Sequence, residues 1–224
     1  MADILCPYCF KHFKSTEVMF RCTNESKRLN TDGTSQRVCD LVEDPNYSNH
    51  WGASIPMPRY FNGNFSFFEK IGWKKLQYKK CQCGTQSSKF ICPHCHNALP
   101  VEMIEKGSEI ISIIGGPASG KSNYIVTLLQ QLKKYSSKLG LIVTLQSVGR
   151  NDNEKTINMY KKGYEDIFEH KTAVPKTQAG SKHIPWIVRL ESVSTKKAVY
   201  LVFYDTAGEN FVDQEEIKRN TTYF

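Results

Sequence analysis

The sequence predicts an α/β protein in two parts: a three-layer sheet sandwich over residues 107–224, preceded by a small cysteine-rich module over residues 1–106. Two observations carry this. All eight cysteines lie between Cys6 and Cys95 and none follows. After the stretch Leu99-Pro100 to Gly107, turn formers and clustered aromatics give way to apolar runs that alternate with helical periodicity.

The second part reads in order as follows. Glu109–Ile114 is a β-branched run bounded by glycines, the pattern of a buried strand. Lys121–Lys138 places Ile125, Leu128, Leu129 and Leu132 at helical spacing, with Gly140 as its stop. Leu141–Val148 reads as a strand. Asn153–His170 reads as a helix with Ile157, Tyr160, Tyr164, Ile167 and Phe168 on one face. Thr172–Lys182 is loop, and Trp186–Val193 and Ala198–Tyr204 are strands joined by a Ser-Thr-Lys-Lys turn. Asn210–Lys218 is a short helix. Strands alternating with helices give a sheet covered on both faces.

The 224 residues carry a formal charge of +8, divided evenly at +4 per part, so no basic tail points to nucleic acid as a partner. No apolar run reaches the roughly 18 residues of a membrane span, and no membrane partner is expected. Met1-Ala2-Asp3-Ile4-Leu5-Cys6 lacks the features of a signal peptide, so a cytoplasmic location is expected. In that reducing setting, eight cysteines point to metal rather than disulfides.

Cys81-x-Cys83 and Cys92-x-x-Cys95 form a compact four-thiolate set, two tight turns that can close around tetrahedral Zn²⁺. Both look like zinc-ribbon knuckles. Cys6-Pro7-Tyr8-Cys9 is a third knuckle, which Cys22 and Cys39 can complete as a second site. The alternative is cross-bracing, with Cys6 and Cys9 sharing a metal with Cys92 and Cys95. Spacing does not choose between them. Four sulfurs leave no open coordination position, so both zincs are expected to be structural, with His94 and His96 at the surface. A redox role for Cys6 and Cys9 lacks the thioredoxin-like setting it needs. Tyr60, Phe61, Phe65, Phe67, Phe68 and Trp73 are expected to cover the metal core. A nucleic-acid platform beside Lys74, Lys75, Lys79 and Lys80 is the weaker reading.

The second part carries a phosphate-binding signature. Gly115-Gly116-Pro117-Ala118-Ser119-Gly120-Lys121-Ser122 fits G-x-x-x-x-G-K-[ST], with an apolar strand before it and an amphipathic helix after it. Glycines let the backbone curl so that N–H groups converge on a phosphate, and the helix N-terminus, running on through Asn123, adds partial positive charge. Lys121 would neutralise the β- and γ-phosphates, and the Ser122 hydroxyl would hold Mg²⁺. The apolar strand ending at Tyr204 leads into Asp205-Thr206-Ala207-Gly208-Glu209. Asp205 can hold Mg²⁺ on that side, and Gly208 lets an amide approach the γ-phosphate. The expected fold is therefore a P-loop NTPase three-layer sandwich.

These residues resemble the TRAFAC-class GTPases, the Ras-like and translation-factor superclass, whose second phosphate motif is D-x-x-G. Together with the cysteine-rich N-terminus they look like the bacterial double-GTPase group, which is tied by association to multi-gene conflict or defence systems. The resemblance covers about residues 109–215. It implies GTP as ligand and slow Mg²⁺-dependent hydrolysis as a molecular switch, with the zinc module binding a protein partner. It also implies roles by position: Glu209 stands where many Ras-like members have the glutamine that orients the attacking water. The switch threonine is expected at Thr177, with Thr172 second. Residues 141–171 depart from a minimal Ras-like domain and look like an inserted strand and helix that form a partner surface.

The guanine-reading N-K-x-D is not found before Phe224. The expectation is a fragment or a truncated product, with the sheet edge completed by a further segment or a partner. Without that motif ATP stays open as the ligand. A zinc-stabilised adaptor with a vestigial nucleotide site is the non-enzymatic alternative.

Overall fold

The computed structural model describes residues 3–29, 31, 34–70, 78–106, 109–113, 119–146, 152–175 and 185–205. The chain divides into two compact units, Met1–Gly107 and Ser108–Phe224. Both mix strands with a few helices.

The first unit is built on a small antiparallel sheet. Strand β1 (Met19–Arg21) pairs on one side with β2 (Tyr60–Asn62) and on the other with β3 (Phe90–Ile91), which also pairs with β4 (Ala98–Leu99). Short two-stranded hairpins surround it, at Asp3–Leu5 with His12–Lys14 and at Lys79–Lys80 with Gln86–Ser87 among others. Phe20, fully buried on β1, gathers the rings of Phe90, Phe61 and Phe65 at centroid distances of 4.9, 5.8 and 6.1 Å. That aromatic centre is how the chain makes a core from strands of two or three residues. Between β1 and β2 a helix, α1, forms over Pro45–Trp51, which the turn-rich composition of this part does not announce. Its start has a local cause: Asp44 caps the Tyr47 amide, and Pro45 opens the first turn.

The second unit holds a four-stranded sheet in the order β5 (Glu109–Ile113), β8 (Ala198–Asp205), β7 (Trp186–Ser192), β6 (Leu141–Gln146). β5 and β8 run parallel; the other pairs are antiparallel. Helix α2 (Lys121–Tyr135) packs its Ile125, Val126 and Leu129 onto Trp186, Val188 and Phe203 of the sheet. Gly140, at φ 63°, turns the chain from α2 into β6.

Helix α3 (Asp152–Tyr164) joins this core through Tyr160. The expected helix to His170 forms, but its last turn, Glu165–Glu169, is a π-helix closed by the His170 amide on the Glu165 carbonyl. The inserted strand, β6, extends the sheet beside β7 rather than standing apart. The expected helix at Asn210–Lys218 lies outside the described residues. Among the described residues no helix is long and apolar enough to cross a membrane.

Candidate metal centres and nucleotide site

The structure brings the eight cysteines together as two sets of four: Cys6, Cys9, Cys92 and Cys95, and Cys22, Cys39, Cys81 and Cys83. Within each set the sulfurs lie within 4.8 Å of one another. Neighbouring Sγ atoms are 3.7 Å apart for Cys6 and Cys95, 3.8 Å for Cys9 and Cys92, 3.6 Å for Cys22 and Cys83, and 3.9 Å for Cys39 and Cys81. A tetrahedron with zinc–sulfur bonds of about 2.3 Å has edges of about 3.8 Å. Both sets therefore have the size of a Zn²⁺ site. The compact grouping of Cys81 and Cys83 with Cys92 and Cys95 is not the one the fold makes; the outermost pairs meet each other and enclose the inner set.

Backbone geometry prepares the knuckles. In the first set, Phe10 N donates to Cys6 O at 3.0 Å and His96 N donates to Cys92 O at 3.0 Å. Phe10 and His96, each four residues beyond the first cysteine of its pair, take left-handed φ values of 54° and 52°. Backbone amides also point at sulfur: Tyr8 N to Cys6, His94 N to Cys92 and Asn24 N to Cys22, each at 3.4 Å. The shorter Cys81-x-Cys83 turn closes with Gly84 N on Cys81 O at 2.9 Å, and only glycine adopts its φ of 87° without strain. Such amides stabilise thiolate over thiol. Burial pushes the Cys6 thiol well up, whereas hydrogen bonds from Cys6 and its neighbours draw Cys9 down. At Cys83 burial raises the pKa, but donors from Thr85 outweigh it and set it at about 6. Metal ligation requires the thiolate, which the amides aimed at Cys6, Cys22 and Cys92 favour.

His94 is exposed, as expected, but His96 is not at the surface: it is 3% exposed. Its Nδ1 lies 2.7 Å from Asp44 Oδ1, and Asn46 Nδ2 lies 3.2 Å from its Nε2. Asp44 Oδ2 accepts from Arg21 Nη2 at 2.6 Å, and Arg21 also donates to the carbonyls of Pro58 and His96. Burial works against a charged Asp44, but the His96 and Arg21 hydrogen bonds outweigh it and hold the carboxyl below its ordinary range. Composition offers no signal for this network, because the three residues come from distant parts of the chain.

Of the aromatics, Phe61 packs against the second cysteine set and Phe65 against Phe20, while Phe67 and Phe68 are exposed. Trp73, Lys74 and Lys75 lie outside the described residues. Lys79 is committed to Glu69, 2.8 Å away.

In the second unit, the described part of the phosphate loop is Ser119 to Ser122. Gly120 sits at the N-terminus of α2 with φ 81°, and open space surrounds the position a Cβ would take, so the backbone conformation alone calls for glycine. The first turn of α2 carries no acidic side chain. Lys121 Nζ reaches Ser119 Oγ at 3.4 Å. Across the sheet, Ile113 on β5 pairs in register with Asp205 on β8. The two strands that lead into the glycine-rich loop and into D-x-x-G are thus adjacent and end at the same level.

Asn123 turns its side chain to the chain ahead of β7: its Oδ1 accepts from Val174 N at 2.9 Å. Thr172 is engaged in the turn after the π-helix, its amide and hydroxyl both on the Asp166 carbonyl. Gly115, Gly116, Pro117, Ala118, Thr177, Gly208 and Glu209 lie outside the described residues.

Residues 112–222 match the family model described as Double-GTPase 1. A protein of Mycolicibacterium smegmatis named for ESX-1 scaffolding and assembly, SaeC, is 31% identical over 126 residues, which cover 54% of this chain and 31% of that protein. The chain thus spans less than a third of the length of this curated relative. No solved structure matches. At a coarse level, similarity to a GTPase family supports nucleotide binding by the second unit.

Proposed function

We propose that the second unit is a P-loop NTPase domain of the TRAFAC class that binds a nucleoside triphosphate with Mg²⁺, with GTP as the ligand, and hydrolyses it slowly as a molecular switch. The observation that carries this is the in-register pairing of Ile113 with Asp205, with α2 starting at Gly120-Lys121 after the loop that follows β5. Residues 115–120 would wrap the phosphates, Lys121 would neutralise them, and Ser122 and Asp205 would hold Mg²⁺ from either side. Gly208 would approach the γ-phosphate, Thr177 would complete the metal shell and Glu209 would face the attacking water. A carboxylate beside a γ-phosphate is a poor water-orienting group, so turnover is slow. The similarity to Double-GTPase 1 proteins supports GTP; ATP is the competing ligand.

The first unit, residues 1–106, would be a structural zinc module that binds a protein partner in the cytoplasm. Its two sets of four clustered sulfurs support the metal, and the scaffolding and assembly name of the SaeC relative supports the partner. Phosphate release from GTP, followed for the wild type and Lys121→Ala, tests the enzymatic reading. Slow release that the substitution abolishes is the expected result. Equal rates would leave an adaptor with a vestigial site.

A further inference from the structure

The two cysteine sets are joined by a buried network that neither needs for its own sulfurs. Arg21 directly precedes Cys22 of the second set, and His96 directly follows Cys95 of the first. Asp44 stands between them at 0% exposure, with Arg21 at 1% and His96 at 3%. One carboxylate oxygen takes Arg21 Nη2 at 2.6 Å; the other takes His96 Nδ1 at 2.7 Å and the Tyr47 amide at 3.1 Å. Asn46 Nδ2 lies 3.2 Å from the other ring nitrogen, Nε2. Arg21 further donates to the backbone carbonyl of His96 at 3.0 Å. Its own carbonyl accepts from Ser87 Oγ at 2.6 Å, on the hairpin that presents Cys81 and Cys83.

From this arrangement we infer that Asp44 is a positioning residue shared by both metal sites, and that it makes Zn²⁺ loading of the two sites cooperative. Displacing Cys95 or Cys22 moves His96 or Arg21 with it. Either movement separates charge and hydrogen-bond partners that water cannot reach, which is strongly unfavourable. A loaded site holds its end of the network in place and so preorganises the other site. Chain topology acts in the same direction. The first set joins Cys9 to Cys92 across 83 residues, and the second, which joins Cys39 to Cys81 across 42, lies inside that loop.

This inference rests on the zinc reading of the two sets. The test uses the full chain, stripped of metal and titrated with Co²⁺ and then Zn²⁺ in competition with a chelator. Cys6→Ser with Cys9→Ser disables the first site, and the affinity of the second is measured with and without it. The factor lost is the coupling. The same cycle is repeated with Asp44→Asn. The coupling factor is expected to be about tenfold smaller in the Asp44→Asn chain, while the part due to nested loops remains. Equal coupling factors, within about twofold, would overturn the inference. Should Asp44→Asn fail to fold, His96→Leu, which leaves Arg21 paired with Asp44, carries the same cycle and the same criterion. A wild-type chain that takes up no metal at either set would overturn the zinc reading itself, and the coupling with it.

Discussion

The side-chain oxygen of Asn123, in the first turn of α2, accepts a hydrogen bond from the Val174 amide at 2.9 Å. Val174 also lies over Gly163 of α3, where an added Cβ would stand 3.4 Å from its methyl group. The helix that follows the glycine-rich loop thus holds the chain ahead of β7 through the Asn123 side chain. Asn123→Ala should raise the exchange rate of the Val174 amide about fivefold, the worth of one hydrogen bond of roughly 1 kcal/mol. Asn123→Asp, which keeps the acceptor, should not. Amide hydrogen exchange read at Val174 decides it, and equal rates in the alanine variant would remove the tether from the account.

The grouping of the cysteines has a direct stoichiometric test. The wild type should bind two Zn²⁺ per chain, and Cys9→Ser or Cys92→Ser should each reduce this to one. The double variant should still bind one, because both substitutions strike the same site. Were the sites formed from sequence neighbours, the double variant would bind none. Metal analysis of purified protein separates these outcomes.

Two glycines in the first unit should fail for different reasons. At Gly84 a Cβ would meet nothing within 4 Å, but φ is 87°, so Gly84→Ala should destabilise by about 1–2 kcal/mol through backbone strain alone. At Gly63 a Cβ would stand 2.5 Å from the Phe20 ring and 2.9 Å from Phe65. Gly63→Ala should destabilise by about 1–3 kcal/mol through overpacking. Phe20→Leu should soften the second penalty and leave the first unchanged, a non-additivity that thermal denaturation of the two double variants would show.

Glu69 sets a pH dependence of known sign. Burial raises its pKa, but Lys79 at 2.8 Å and the Ser66 amide and hydroxyl outweigh this and bring it to about 2, below the usual 4.5. A depressed carboxylate stabilises the fold fully above the ordinary value and loses that contribution as pH falls toward the folded one. The stability difference between wild type and Glu69→Gln should therefore be constant above pH 4.5 and shrink below it toward about 2. Denaturation of the two proteins in parallel cancels acid release of metal, and a difference that grew on acidification would contradict the assignment.

Much of the second unit was legible because its periodicity is long and regular. The β-branched run of β5, the apolar spacing of α2 and the run of β8 each survive any small error of boundary. Gly120 was legible because a helix that starts abruptly after a tight loop calls for a left-handed residue, and it has one. The pairing of the cysteines was not, because both groupings use the same knuckles. What decides it is that β3, which leads into Cys92, pairs with β1, which leads into Cys22, an arrangement of long-range pairing rather than spacing. The buried Arg21, Asp44 and His96 were equally hidden: as letters they are surface residues, and only their meeting makes burial tolerable. The π-turn at Glu165–Glu169 left no mark either, since one extra residue per turn barely shifts a helical pattern.

The nucleotide reading depends on a triphosphate held by the loop before α2 and the strand end of β8. Its most direct test is equilibrium binding of a fluorescent GTP analogue to the full chain with and without Mg²⁺, displaced by unlabelled GTP or ATP, in the wild type and in Lys121→Ala. The expected result is saturable, Mg²⁺-dependent binding, displaced more readily by GTP than by ATP and weakened at least tenfold by the substitution, in line with the loss of one charge-assisted phosphate contact worth about 1.5–3 kcal/mol. Binding that is independent of Mg²⁺ and unchanged in Lys121→Ala, or no binding at all, would contradict it.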